Sequence, residues 1–384
     1  ESPVLFLISG DTMKRTIVVA CIGAVAIVAA GCTVHYPPPS ISQIGTAKHH
    51  VNSGMILLEK GKTPDAMWQF DRAIELDPTL SMAYVGRAMA YLVSNDLKRC
   101  QANLEFARSV AQGDEDWINI YIGYMRLHTA HKQGQWLETV RQNFDRALDI
   151  DARYKAAYFY MGMAYKEAFH FQAAEMMFEK VLEINDPFLI LADRQWKLVR
   201  QIQSAQPSSH IAKTVALQPR VTRAQLASLL VKELDIEALL HNGLIRKESS
   251  TVPFQGKVAD IQAHVLKADI ETVLTLRVEG LSVSADHLFH PDDFVTRKDL
   301  AVMIEGLMKK TGYDIFQRQS KITTSPFYDV PSNHPQFRAI LSCVTFGFMN
   351  VNDISTQEFA PELPVTGTDA LLALRKVRDQ LRYR

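Results

Sequence analysis

The sequence predicts a mainly α-helical protein, with two successive repeat arrays behind an N-terminal leader. Three observations support this prediction. One motif recurs with a period near 34 residues between positions 47 and 187, a second recurs three times after position 209, and one long apolar run lies near the N-terminus. Repeats of this length are typical of stacked supersecondary units.

Composition narrows the class of function. The chain has 384 residues, with 42 Lys and Arg against 42 Asp and Glu, so it lacks the basic excess that nucleic-acid binding needs. Four Cys in this length exclude a disulfide-dense scaffold. The sequence contains no P-loop, dinucleotide-binding Gly motif, nucleophile elbow or zinc-protease motif. We therefore predict a protein that is not an enzyme and has no cofactor, metal or nucleic-acid partner.

A few isolated His and Cys side chains could bind a metal or form a disulfide, but their spacing favours roles in packing or at the surface. The pairs His128 with His131 and His287 with His290 each lack a third metal ligand. Two cysteines, at positions 100 and 343, fall in apolar helical patterns. We expect them to be buried as small apolar residues, with a disulfide between them as the alternative.

Residues 1–31 are predicted to be a leader. Met13 is followed by Lys14 and Arg15 and then by an apolar stretch of small and β-branched residues. This is the layout of a secretory signal peptide. Its ending, small residues directly before Cys32, resembles the lipobox of bacterial lipoproteins, which implies that Cys32 is acylated and anchors the chain in a membrane. An uncleaved anchor helix or a soluble secreted protein is the alternative.

The residues after Cys32 suggest in which membrane of the cell envelope the chain would be anchored. Residues 32–46 contain three consecutive Pro and are expected to form a stiff tether. In the lipoprotein family, Thr rather than Asp after the acylated Cys favours the outer membrane, so Thr33 implies a lipid-anchored envelope protein facing the periplasm. Surface exposure stays open.

Residues 47–187 contain four copies of a helical-hairpin motif. The pattern A-x3-F-x2-A-x4-P starts at Ala66, and segments 140–152 and 173–186 repeat it. The copies begin at 47, 81, 121 and 155, with spacings of 34, 40 and 34 residues. The pattern resembles the tetratricopeptide repeat, whose hairpins stack into an α-solenoid to bury their apolar faces. We expect the six extra residues near Gln112–Trp117 to form a turn between repeats.

The tetratricopeptide resemblance also implies a binding surface, because partners of that family lie along the concave side of the first helices. In this sequence the corresponding residues form an apolar, Met-rich set: Val51, Met55, Leu58, Met82, Val85, Met89, Leu92, Met125, Phe159 and Met163. Met-rich surfaces adapt to varied apolar ligands, so we expect a groove for a helix or extended segment of a partner protein. The alternative is a groove filled from within, by the helix predicted over Leu189–Gln203.

Residues 188–208 are expected to form a capping helix and a linker. Behind them, segments that begin VTR, VTR and VTG at positions 221, 295 and 365 align, and FHPDDF and FAPELP precede the last two. The pattern resembles the S-layer homology module, an α-helical unit that occurs as three copies with pseudo-threefold symmetry. We assign the modules to residues 209–250, 257–311 and 327–384.

That second resemblance implies binding of cell-wall polysaccharide or a peptidoglycan-linked polymer. The groove Arg of the family corresponds to Arg223 and Arg297, and its Asp to Asp260 and Asp329. A planar guanidinium suits the carboxylate or phosphate of an anionic glycan. Two departures stand out: Gly367 takes the place of the third Arg, and the first module lacks a recognisable F-x-D half. Alternatively, the Arg side chains are surface residues and the modules are a scaffold or docking domain.

Together these patterns predict a non-enzymatic lipoprotein scaffold of the cell envelope. It would bind a partner protein through the first array and wall polymer through the second. The alternative is a protein-docking subunit of an envelope machine, such as a pilus, secretion or assembly complex, without affinity for glycan.

Overall fold

The computed structural model describes residues 45–182, 188–244, 258–312 and 324–382. Within these residues the protein is all-helical, as predicted: no β-strand occurs, and extended backbone contributes only three isolated bridges. The chain divides into two compact units between Trp196 and Lys197. The boundary falls inside the predicted capping helix.

The first unit is a series of antiparallel helices, and the last helix runs across the unit boundary. The helices are α1 (Ala47–Glu59), α2 (Thr63–Leu76), α3 (Ser81–Val93), α4 (Leu97–Val110), α5 (Asp114–His131), α6 (Trp136–Ile150), α7 (Lys155–Glu167), α8 (Phe171–Leu182) and α9 (Leu189–Ala205). Helices α1 to α8 pair in chain order into four hairpins, and each hairpin packs against the next. The predicted repeat array is confirmed.

Glycine allows the two helices of a hairpin to approach closely. A Cβ at Gly54 in α1 would lie 2.6 Å from the ring of Phe70 in α2, and a Cβ at Gly162 in α7 would lie 2.7 Å from the ring of Phe178 in α8. Real Cβ atoms do not approach so near, so each aromatic ring fills the space that its glycine leaves. This pairing of glycine with an aromatic ring thus forms part of the core of the array.

The residues between the second and third hairpins do not form the turn that we expected. Helix α5 begins at Asp114 and has 18 residues, against 13 in α1, α3 and α7. Gly113 stands at its N-cap, and Asp114, Glu115 and Asp116 fill its first turn. Acidic side chains are favoured there by the helix dipole. Most of the predicted turn is therefore an extension of the helix.

The second unit contains shorter helices and one 3₁₀ turn. They are α10 (His210–Ala216), α11 (Arg223–Lys232), α12 (Ile236–His241), the turn Ala259–Ile261, α13 (Lys267–Thr275), α14 (Arg297–Lys310), α15 (Phe337–Thr345) and α16 (Gly367–Arg382). Thr222 and Thr296 of the VT motifs form capping boxes at the start of α11 and α14. In the third copy, the Thr366 hydroxyl accepts a hydrogen bond from the Asp369 amide at 3.1 Å.

A ring of three backbone hydrogen bonds lies at the centre of the second unit. The amide of Val221 donates to Val365, that of Val295 to Val221, and that of Val365 to Val295, each at 2.9 Å. The three VT segments therefore surround a common pseudo-threefold axis. The helices follow it: α11 packs on α13, α14 on α15, and α16 on α10. Helix α10 thus takes the place of a first module helix, without the sequence motif that marks the others.

The predicted linker is held to the second unit by one carboxylate. Glu233, which is 8% exposed, accepts hydrogen bonds from the backbone amides of Ser208 and Ser209 at 3.1 and 2.7 Å. The hydroxyl of Ser209 in turn caps α10 by accepting from the amide of Ala212. The segment before α10 is therefore anchored rather than free.

Candidate protein-interaction site

The first helices of the four hairpins form one continuous layer. Helices α1, α3, α5 and α7 each pack against the next, whereas successive second helices make no comparable contacts among the described residues. The layer with the closer spacing lies on the inside of the curve. We call its surface, on the side away from the second helices, the inner face.

The register of α5 on this face differs from the one that the sequence suggests. A Cβ at Gly86 of α3 would lie 2.2 Å from the ring of Phe70, and a Cβ at Gly123 of α5 would lie 2.5 Å from a methyl of Leu104. Gly123 thus takes the place that Gly86 has in the preceding repeat. The third repeat therefore begins at Ile118, three residues earlier than predicted, and the other three extra residues follow this point.

Most of the residues predicted to line a groove are buried instead. Seven are at most 9% exposed: Val51, Leu58, Val85, Met89, Leu92, Met125 and Phe159. Most of them belong to the apolar clusters between hairpins, because the first helices lie close enough to interdigitate. Met55, Met82 and Met163 are partly exposed. These three methionines are the accessible part of the predicted set.

The shifted register brings Arg126 to the inner face. It holds the repeat position that Met89 holds on α3 and Met163 on α7. Its guanidinium carbon lies 4.8 Å from the ring centroid of Tyr160, within the range of a cation–π contact. Among the described residues, neither the Arg126 guanidinium nor the Tyr160 hydroxyl has a hydrogen-bond or ion-pair partner. Sequence reasoning missed Arg126 because it chose Met125; the apolar spacing of Ile118, Ile120 and Leu127 along α5 was the signal for the other register.

Two other basic side chains near this face are partnered. Lys132 Nζ lies 2.6 Å from a carboxylate oxygen of Glu167. Lys166 Nζ donates to Oε1 of Gln195 at 2.7 Å, and burial lowers the pKa of its ammonium group. Among the described residues, Arg126 therefore differs from Lys132 and Lys166 in having no hydrogen-bond or ion-pair partner.

One part of the inner face is covered from within. The ring of Phe188, just before α9, lies 5.3 Å from that of Phe159 and 6.3 Å from that of Tyr160. Gln195, in α9, binds Lys166 of the same repeat. Internal filling, the alternative to an open groove, thus holds at Phe159 and Lys166 of the fourth repeat, while Met55, Met82 and Met163 keep partial exposure.

In the second unit, the residues predicted to bind wall polymer contact the protein itself. Arg223 donates from Nε to the carbonyl of Phe289 at 2.8 Å, and from its other nitrogens to Gly280 and Ser282 at 2.9 and 2.7 Å. Asp260 accepts from the amide of Phe289 at 3.1 Å. The first Arg–Asp pair thus fixes the loop of the next module from both sides.

The second pair repeats this arrangement. Arg297, which is 8% exposed, donates to the carbonyls of Phe359 and Asn350 at 2.7 and 2.5 Å. Asp329 accepts from the amides of Phe359 and Ala360 at 2.9 and 2.6 Å. Each Arg therefore joins two modules, and each Asp holds the same loop from within its own module. Polymer binding by these side chains stays a prediction.

The third position explains both departures from the module pattern. A Cβ at Gly367 would lie 1.6 Å from the carbonyl oxygen of Val215 at the end of α10. The Gly367 amide also donates to the carbonyl of Gln218 at 3.0 Å. The backbone of the last residues of α10 thus fills the space that an Arg stem takes in the other copies. The position that lacks the Arg, Gly367, therefore packs against the module that lacks the F-x-D half.

The remaining candidate side chains are two cysteines and two histidine pairs. Cys100 and Cys343 are buried, as expected, and form no disulfide, and burial raises the pKa of the Cys100 thiol to about 12. His290 pairs with Asp286 at 2.8 Å, and burial lowers the pKa of His128. Within the described ranges, no group of three or more potential ligands could hold a metal ion.

The predicted anchor cannot be placed. Cys32, the leader and most of the tether lie outside the described residues. In the part of the chain that is described, none of the helices combines the length and the apolar character needed to cross a bilayer.

No protein-family model matches the chain, and no curated protein matches it. Two of the solved structures that match are tetratricopeptide-repeat proteins. One is TTC0263, a thermophilic protein of Thermus thermophilus, at 16% identity and a TM-score of 0.36, over 51% of this chain and 98% of that one. The other is YrrB, described as having an unusual peptide-binding site, at 20% identity and a TM-score of 0.26, over 52% of this chain and 92% of that one. In its stacked helical hairpins, the first unit of this chain resembles such repeat arrays.

Proposed function

We propose that this protein is a non-enzymatic scaffold that binds a partner protein through the inner face of its hairpin array. The observation that supports this proposal is the continuous layer of first helices, along which Met55, Met82 and Met163 stay partly exposed. Flexible thioether side chains in one layer suit an apolar segment of another protein.

We further propose that the scaffold belongs to the bacterial cell envelope. This rests on the leader sequence, in which Lys14 and Arg15 precede an apolar stretch and Cys32. Acylation of Cys32 would hold the array at the outer membrane on a Pro-rich tether. Metabolic labelling with an alkyne fatty acid tests this step: label on the wild type and none on Cys32→Ala is expected, and equal labelling of both would overturn it.

For the second unit we propose protein docking, as in an envelope assembly complex. The internal contacts of Arg223 and Arg297 favour docking over binding of wall polymer, because their donors already meet backbone carbonyls. Co-sedimentation of the full chain with insoluble cell wall separates the two roles. Saturable binding to the wall would restore the polymer hypothesis, and its absence together with a stoichiometric protein partner would support docking.

The role of the inner face is tested by purifying the natively expressed chain from detergent-extracted membranes and identifying its partners by mass spectrometry. We expect Met163→Lys with Met82→Lys to lose a stoichiometric partner. The matched control is Met176→Lys with Trp68→Lys, because these side chains are exposed on second helices. Loss of the partner from both variants, or from neither, would count against the inner face.

A further inference from the structure

We propose, on the basis of the envelope location proposed above, that Tyr328 and Ile354 of the third module insert into the surface of a lipid bilayer. Tyr328 is 86% exposed and Ile354 is 78% exposed, so both are among the most exposed large apolar side chains of the described residues. Where such side chains lie together, their exposure marks an interaction surface.

Hydrogen bonds within the third module bring the two side chains to one place. The amide of Tyr328 donates to the carbonyl of Gln357 at 3.3 Å, and the side-chain amide of Gln357 donates to the carbonyl of Ile354 at 2.8 Å. The amide of Glu358 donates to the carbonyl of Asp353 at 3.1 Å, which closes the turn that carries Ile354. We call Tyr328 and residues 353–358 the apolar tip.

The second module lacks such a tip, although its backbone has a similar turn. Ala259 takes the place of Tyr328, directly before the Asp of the motif. The corresponding turn, residues 284–288, is closed by a backbone hydrogen bond of 2.9 Å and carries Ala285 in place of Ile354. The module fold therefore does not require large apolar side chains at these two positions. Contact with a body outside the module gives them a role.

A bilayer fits the apolar tip better than a partner protein does. A stable protein interface buries roughly 1,200 Å² or more, which two side chains cannot supply alone. A fluid bilayer requires no matching shape, and Tyr suits its boundary because the ring is apolar while the hydroxyl stays hydrated. Acylation of Cys32 would already hold the chain at a membrane, so that a weak second contact is enough to orient the second unit.

The charges of the apolar tip indicate which lipid it suits. Its two carboxylates have partners: Asp353 accepts from the amide and the hydroxyl of Ser355 at 2.7 and 2.6 Å, and Glu358 accepts from the side chain of Asn352 at 3.3 Å. Such groups cost less to move out of water than polar groups without partners. The tip contains no Lys or Arg, so anionic lipid would repel it. We therefore expect insertion into a zwitterionic surface.

The test is the quenching of a Trp placed in the apolar tip. Full-length chain with Tyr328→Trp is mixed with phosphatidylcholine vesicles whose acyl chains carry bromine, which quenches a Trp that reaches them. We expect quenching of the fluorescence that this Trp adds to the wild type, and its loss when Ile354→Asp is combined with Tyr328→Trp. Ala259→Trp is the matched control, because it puts the same side chain at the equivalent place in the second module. No quenching of Tyr328→Trp, equal quenching of the control, or quenching that survives Ile354→Asp would refute insertion.

The same measurement on chains with Cys32→Ala separates this inference from the proposed anchor. If Cys32 is acylated, Cys32→Ala should require about tenfold more lipid, or more still, for the same quenching. Equal lipid requirements would count against the anchor while the quenching itself still supports the tip, whereas quenching in neither chain would refute the tip.

Two further outcomes decide the identity of the occupant. Brominated phosphatidylglycerol should quench Tyr328→Trp less than phosphatidylcholine does, and stronger quenching would overturn the zwitterionic assignment. Loss of a co-purifying protein from Tyr328→Ala with Ile354→Ala, without any quenching in vesicles, would assign the apolar tip to a protein partner instead.

Discussion

The backbone amide of Val221 donates to the carbonyl of Val365 at 2.9 Å, which joins the first and last VT segments of the second unit. Val295 completes the ring by bonding both neighbours at the same distance. A ring closed by residues so far apart in sequence forms only when all three modules are in place. The second unit should therefore unfold as one cooperative body.

Gly367→Ala should open this ring. The added Cβ would overlap the carbonyl oxygen of Val215, and backbone cannot move aside as a flexible side chain would. We expect the free energy needed to open the ring of backbone hydrogen bonds to fall by at least about 1–3 kcal/mol. Hydrogen exchange, measured by mass spectrometry on peptides that contain Val221 and Val365, reports this change. Gly45→Ala is the control, because a Cβ there meets nothing within 4 Å. Unchanged protection of Val221 from hydrogen exchange would show that the packing of α10 against Gly367 does not stabilise the ring.

Arg297→Ala should destabilise the second unit by about 2–4 kcal/mol, because it leaves the carbonyls of Phe359 and Asn350 without their charged donor. The same hydrogen-exchange measurement checks it. Arg220→Ala is the control: its side chain is exposed, lies over the Phe294 ring and makes no hydrogen bond or ion pair with the described residues, so a loss below about 1 kcal/mol is expected. Equal effects of the two variants would contradict the joining role of Arg297. Alanine variants are consequently poor tests of polymer binding, since they weaken the fold as well.

Acidification should release the segment before α10 through Glu233. Burial alone would raise the pKa of this carboxyl group, but hydrogen bonds from Ser209 and Ser208 outweigh it and lower the pKa below its ordinary value of 4.5. A group whose pKa is lowered by folding stabilises the folded state above its unfolded pKa. That contribution is lost as pH falls below about 4.5 and through the folded value.

The measurement for Glu233 is the stability difference between the wild type and Glu233→Gln as a function of pH. We expect the wild type to be the more stable at pH 7 and the difference to shrink toward pH 3. Glu237→Gln serves as the control, because Glu237 is exposed on the neighbouring α12 and its side chain makes no hydrogen bond within the described part of the chain. A difference that stays constant between pH 7 and pH 3 would show that the Glu233 charge does not hold the segment.

The hairpin array was predictable because its packing rule is local. Gly54 with Phe70 and Gly162 with Phe178 recur at fixed spacing, and each pair is needed wherever two helices approach closely. The register of α5 was not predictable in the same way. The motif lies mainly on second helices, and six extra residues can be divided around a first helix without changing the spacing of the motif. The apolar spacing along α5 was a weak sequence signal for the division, and the contact of Gly123 with Leu104 decides it.

The second unit shows a different limit. The repeated positions of Arg223 and Arg297 were visible in sequence, but a side chain that bonds its own backbone has the same sequence pattern as one that awaits a ligand. Gly367 and the missing half-motif before Val221 looked like two separate losses. They meet in space at the carbonyl of Val215, and no one-dimensional pattern connects positions so distant.

Gly86 and Phe70 should be energetically coupled across the first two hairpins. A Cβ at Gly86 would lie 2.2 Å from the Phe70 ring, so Gly86→Ala should cost about 1–3 kcal/mol of stability. Phe70→Leu leaves a cavity and is also destabilising, but it makes room for the new methyl group. The double variant should therefore lose less than the sum of the single losses, by about 1 kcal/mol.

Tryptophan fluorescence during urea unfolding measures this coupling in the first unit, because all four Trp of the chain lie at or before position 196. The control pairs Gly86→Ala with Phe178→Leu, since Phe178 packs against Gly162 two repeats away. Those two losses should add, because no atoms are shared. If the stability losses of Gly86→Ala and Phe70→Leu also added, the Phe70 ring would move away from the new methyl group at little cost. The aromatic position of one repeat would then not set the distance to the next.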